Sequence, residues 1–239
     1  MKNGMWKKFG KLTGKCYLNM AQGVEDPKCW DDTFALLLEI VADGRSKDPQ
    51  YAAELYQLDE LTDYEYDVQG WLEDYLDEVD MREDKEKVLK ICDTLLALFH
   101  WEEEVPSDLQ MMKSMALSAL GRNDEAVELC RHWLEEDPED ITAVTASIYA
   151  YTASRDMEAA EKLIREHIQE DTQCTEENDI LFTAAAAFYK ASGNKKEYKR
   201  IDDALEAYDE YLGKFFEGMD GDGDEDDSFD WDDDDLPFN

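Results

Sequence analysis

GRNDEAVELCRHWLEEDPED (residues 121–140) and RDMEAAEKLIREHIQEDTQC (residues 155–174) decide how this chain folds. Laid one over the other, they put Ala126 on Ala160, Leu129 on Leu163, Cys130 on Ile164, Trp133 on His167 and Leu134 on Ile168. Side chains recurring at i, i+3, i+4, i+7 and i+8 share one face of a helix. The offset is 34 residues and it extends upstream, where Leu117 meets Tyr151. GRND and SRDM are turn signals at the heads of the two faces, so each period holds two helices and a short loop. Short loops make such neighbours antiparallel.

The same period runs outward. Trp30, Phe34, Leu37, Leu38 and Val41 form one apolar face, and Val68, Trp71, Leu72, Tyr75, Leu76 and Val79 form another. Further faces are centred on Cys92, Met115, Ile148, Ala185 and Leu205. No segment alternates with period two for long enough to make a strand, and 12 Gly and 5 Pro in 239 residues leave few turns. The chain is expected to be all-α. PQYAAELYQLDEL (residues 49–61) reads as one short helix, and Asp108 and Asp140 read as N-caps close behind Pro106 and Pro138.

Paired helices at this period resemble the tetratricopeptide repeat. The resemblance rests on Ala126 and Ala160 at the small position that opens the second helix, and on Cys130 and Ile164 at the large position four residues later. Gly121 takes the turn position and Pro138 the closing position, where the next repeat has Thr172. The first helices lack the family's Trp-x-x-Leu-Gly pattern, and Val88 to Ala126 is 38 residues. The resemblance implies a TPR-like α-α superhelix of roughly four to five antiparallel pairs across residues 27–216. No pair buries its apolar face alone, so pairs must stack. The domain is flanked by a basic segment, residues 1–26, and an acidic tail, residues 217–239, whose composition predicts disorder. In a stack of this kind the first helices line a concave groove, which places Met111, Met115, Ser118, Thr145, Tyr149, Thr152, Ile180, Thr183 and Ala187 there. None is basic, so the Lys, Arg and Asn set with which members of the family clamp a carboxylate is missing. Met, Thr and Tyr suit an apolar or helical peptide.

The formal net charge is −37. Residues 1–15 carry +5 and residues 217–239 carry −12, leaving −30 on the body. Such a field repels nucleic acid and anionic membrane and favours cationic partners. The five cysteines, Cys16, Cys29, Cys92, Cys130 and Cys174, form no Cys-x-x-Cys pair, and two lie on apolar faces, which points to a reducing, cytoplasmic compartment. The basic start is followed by no apolar run, so no secretory signal is expected, and FALLLEIVA is too short to span a bilayer.

Catalytic patterns are missing. GKLTGKC (residues 10–16) is one residue short of a phosphate loop and ends in Cys16. There is no Gly-x-Ser-x-Gly elbow and no His-Glu-x-x-His. Cys130 and His132 point to different sides of a helix, wrong for a shared metal, and His167 replaces a packing tryptophan. No acid falls on an apolar helical face. The expectation is no enzyme, no cofactor and no metal, but a protein-protein interaction scaffold that holds a protein or peptide in its groove. The alternative is a polyanionic chaperone or mimic that binds and shields a basic protein.

The tail, DGDGDEDDSFDWDDDD (residues 220–235), fails as an EF-hand loop, since neither register has glycine sixth and glutamate twelfth. Phe229, Trp231 and Phe238 set large apolar anchors into the acid, suiting a basic surface with an apolar notch. That surface is either another protein or the chain's own first 15 residues.

Overall fold

The computed structural model describes residues 2–102 and 105–220. Among these there are eleven α-helices and no strand. The only extended pairing described is an isolated bridge between Glu54 and His100. Two compact units are present, Met1–Leu163 and Ile164–Asn239. The tail residues Phe229, Trp231 and Phe238 lie outside the described residues.

The helices are α1 (Lys2–Ala21), α2 (Pro27–Lys47), α3 (Gln57–Glu60), α4 (Val68–Met81), α5 (Lys85–Leu98), α6 (Ser107–Ala119), α7 (Asn123–Glu136), α8 (Ile141–Ser154), α9 (Met157–His167), α10 (Asp179–Ser192) and α11 (Lys195–Asp220). What repeats is the turn inside each pair. α4, α6, α8 and α10 all end on a left-handed residue: Glu83 (φ 59°), Gly121 (φ 73°), Arg155 (φ 67°) and Gly193 (φ 74°). Each of these donates its N–H three residues back, to Asp80 (2.8 Å), Ser118 (3.0 Å), Thr152 (3.1 Å) and Lys190 (3.3 Å). The following N–H reaches five residues back, to Val79 (3.4 Å), Leu117 (2.9 Å), Tyr151 (2.9 Å) and Tyr189 (3.1 Å). That double bond is a Schellman cap, which satisfies the last carbonyls of one helix and reverses the chain into the next. The left-handed residues are spaced 38, 34 and 38 apart, the intervals of the sequence repeat. Gly23 (φ 65°) closes α1 in the same way, with Val24 N–H donating to Asn19 at 2.8 Å.

Glycine adopts this conformation without strain and arginine does not. Arg155→Gly is therefore expected to raise unfolding stability by roughly 0.5–1 kcal/mol. Gly121→Ala should lower it by at least as much, since glycine is already in place there. Urea melts followed by circular dichroism check both.

α1 belongs to the packed body, although residues 1–26 were expected to stand apart as a basic segment. Trp6, Phe9, Thr13 and Cys16 make one buried stripe along it. Phe9 meets Trp71 edge-on at 5.4 Å, and Trp6 stacks on Tyr66 at 5.5 Å. Gly10, read above only as part of a failed phosphate loop, is where Tyr66 packs; a Cβ there would lie 2.6 Å from the ring. Inside, Trp30 stacks on Trp71 at 5.8 Å, and Trp71 on Tyr75 at 5.4 Å.

The segment after α2 departs from expectation. Residues 49–61 are not one helix; only Gln57–Glu60 is helical. The rest is held by Arg45, whose guanidinium donates to the carbonyls of Leu98 (2.6 Å), Ala52 (2.7 Å) and Tyr51 (3.3 Å) and sits 5.4 Å from the centre of the Phe99 ring. Tyr51 lies on Gly44 so closely that a Cβ would fall 2.1 Å from its ring. Asp140 is the N-cap of α8, accepting from Thr142 (2.8 Å) and Ala143 (3.2 Å). Asp108 is not a cap, because α6 starts one residue earlier and Pro106 precedes it.

In the second unit α10 packs on α11. Leu181, Phe182, Ala185, Phe188 and Tyr189 of α10 and Ile201 of α11 are buried.

Candidate functional site

α6 packs directly against α8. The predicted groove residues on them follow the helical stride: Met111, Met115 and Ser118, then Thr145, Tyr149 and Thr152. Met115 is 49% exposed. Met111, Ser118, Tyr149 and Thr152 are half-buried, and burial raises the Tyr149 phenol. The Thr152 hydroxyl is already used, donating to Ile148 O at 2.6 Å. Thr145 is a correction: it is fully buried and cannot line a groove. On α10, in the other unit, Ile180 is 41% exposed and Thr183 and Ala187 are exposed. Thioether, phenol and hydroxyl groups offer adaptable apolar and hydrogen-bonding contact.

The other candidates for chemistry lie elsewhere. Cys130 is buried, with its Sγ 3.2 Å from the Ser114 hydroxyl, while His132 is exposed and meets Glu128 at 2.8 Å. They face opposite sides of α7, as their spacing requires. Burial pushes the Cys16 and Cys92 thiols up to about 12 and Cys174 to about 11. These groups stay protonated at neutral pH and are weak nucleophiles. The described residues hold no cluster of three or more His, Cys, Asp or Glu placed to grip a metal. Two acids, Glu54 and Asp59, are buried in the segment of residues 49–61, outside the apolar faces that periodicity marks. Glu54 accepts from Glu102 N–H at 3.1 Å, and Asp59 accepts from Val68 N–H (2.5 Å) and Gln69 N–H (3.1 Å). Both serve backbone. No described helix is long and apolar enough to cross a membrane.

No family model, curated protein or solved structure matches this chain.

A second feature escaped the sequence. A cleft of about 660 Å³ opens between α4 and α6. Its floor is apolar, with Leu72 and Leu76 of α4, Leu95 of α5, and Trp101, Met111 and Met112. Its rim carries Glu73, Asp77 and Asp108, and no Lys or Arg lines it. Partial desolvation raises the Glu73 carboxyl, and the nearby Asp108, Asp67, Asp74 and Asp77 raise it further. The sequence signal was slight: Glu73 and Asp77 each follow a residue of the apolar face of α4. The second unit has its own hollow of about 710 Å³, where Tyr208, Tyr211, Leu212 and Phe215 of α11 meet Cys174.

Proposed function

We propose that this protein is a non-catalytic protein-protein interaction scaffold of the tetratricopeptide-like kind, its helix pairs stacking as an α-α superhelix. The observation that carries the reading is the recurrence of one capped helix turn at intervals of 38, 34 and 38 residues. Repeated hairpins of this type spend their sequence on packing against neighbours and leave their first helices to a partner. Met115 and Tyr149, on adjacent first helices, supply the adaptable contact surface. A cytoplasmic location fits the five cysteines, all buried and none in a disulfide.

The test is affinity capture from the native host with the wild-type chain and a Met115→Ala/Tyr149→Ala variant, matched for helicity. The scaffold reading expects a defined protein to be retained by the first and depleted about tenfold by the second. Equal retention by both overturns it. The −30 charge of residues 16–216 favours a second reading, a polyanion that shields a basic protein. That binding would collapse between about 0.1 M and 1 M salt, where the Debye length falls from about 10 Å to 3 Å. A groove complex held by apolar contact would persist.

A further inference from the structure

The acids of α4 do not all face the same surroundings. Asp74 accepts from the Tyr17 hydroxyl at 2.7 Å, Glu78 pairs with Arg82, and Asp80 pairs with Lys85 at 2.5 Å. On the neighbouring wall, Asp93 of α5 pairs with Lys113 at 2.6 Å. Glu73 and Asp77 have no ion pair among the described residues, and neither has Asp108 at the start of α6. These three are the carboxylates that rim the α4–α6 cleft. Arg82, Lys85 and Lys113 pair with acids outside the cleft lining, and its mouth carries only carboxylates.

Below the rim the chemistry changes. Leu72, Leu76, Leu95 and Met112 form an apolar floor, and the flexible side chain of Met111 can shift to fit an incoming group. The cleft volume lies within the range of sites that enclose a ligand group. The α4 wall runs from Gln69 to Asp77, about 12 Å at the helical rise, long enough for two or three side chains of a peptide. An anionic or purely apolar occupant would leave the three carboxylates desolvated and mutually repelled.

We propose that the α4–α6 cleft docks a peptide segment of a partner protein in which apolar anchors are flanked by Lys or Arg. The anchors fill the floor beside Leu76 and Met112, and the cations meet Glu73, Asp77 and Asp108. This rests on the scaffold reading and names the chemistry of its partner.

The test uses the full chain and three synthetic peptides of about four helical turns each. They are an amphipathic Leu/Lys peptide, a Ser/Lys peptide of the same charge, and a Leu/Glu peptide. Affinity is read by fluorescence anisotropy, and the footprint by amide hydrogen exchange. The Leu/Lys peptide should bind at least about tenfold more tightly than the Ser/Lys peptide, and the Leu/Glu peptide should not bind. Protection should fall on residues 68–81 and 105–112. A Glu73→Gln/Asp77→Asn/Asp108→Asn variant should lose about tenfold in affinity. Neutralising Glu136 at the end of α7 together with Asp137 and Glu139 on the α7–α8 connection should change it less than about twofold. Equal losses in the two variants, or equal binding of the Leu/Lys and Ser/Lys peptides, overturn the proposal in favour of diffuse charge attraction. Carboxylate-dependent self-association of the chain overturns it in favour of a second copy. Protection confined to α6 and α8 near Met115 and Tyr149 overturns the cleft while leaving the scaffold reading intact. Failure of the Met115/Tyr149 capture experiment removes the scaffold reading itself.

Discussion

Trp71→Ala should cost about 3–5 kcal/mol of unfolding stability, the range for deleting a large aromatic side chain from a packed core. Trp71 is fully buried at the meeting point of three helices: Phe9 of α1 is edge-on at 5.4 Å, Trp30 of α2 is stacked at 5.8 Å, and Tyr75 lies one turn along α4. Removing the indole leaves those rings facing a void, and a void lined by stiff aromatics collapses poorly. The indole N–H has no hydrogen-bond partner, so little hydrogen bonding is lost with it. Trp71→Phe should consequently cost much less than the alanine variant. The melting temperature should fall by roughly 10 °C for Trp71→Ala, measured by circular dichroism. A loss under about 1 kcal/mol would mean that α1 and α2 do not dock on α4 as described.

Asp59→Ala should be nearly as severe, at about 2–4 kcal/mol, for a different reason. α4 begins after Asp67, which has φ 43° and caps nothing with its side chain. The free N–H groups of Val68 and Gln69 are taken instead by the two carboxylate oxygens of Asp59, at 2.5 and 3.1 Å. Asp59 is 3% exposed, so water cannot take its place. A negative charge at a helix N-terminus is also favoured by the helix dipole. Asp59→Asn keeps one acceptor and turns an N–H donor toward the other amide, so about half the loss should return. Hydrogen exchange at Val68 and Gln69 reads the effect locally. Unchanged protection in Asp59→Ala would show that another group caps α4.

The capped pairs were legible because their stops are chemically marked. Gly121 and Gly193 take the left-handed conformation freely, and the next helix begins two residues after each. Arg155 lies in SRDM, a turn signal that the 34-residue alignment sets against Gly121, whereas Glu83 occupies the same place with no sequence mark. α1 was hidden by its five lysines, although Trp6, Phe9, Thr13 and Cys16 already keep a helical stride. Residues 49–61 were misread as one helix because the chain there turns on a left-handed residue that is not glycine, Ala52.

The misplacement of Thr145 has a different origin. Six consecutive residues of α8, Ala143 to Ile148, are buried, so that helix has no single apolar face from which to infer an outer one. The α4–α6 cleft was illegible for a tertiary reason. Its lining comes from α4, α5, α6 and the segment before α6, and nothing local to any one of them records how they meet.

The central claim is that the first helices of these pairs, and not the diffuse acidity of the surface, hold a partner. Hydrogen exchange on the protein with and without its captured partner, at about 0.1 M and again at about 1 M salt, tests it most directly. The account predicts protection concentrated on α6 and α8 around Met115 and Tyr149 and along the α4 wall of the cleft, still present at the higher salt. Protection spread over the acidic outer faces of α7 and α9, and gone at the higher salt, would contradict it.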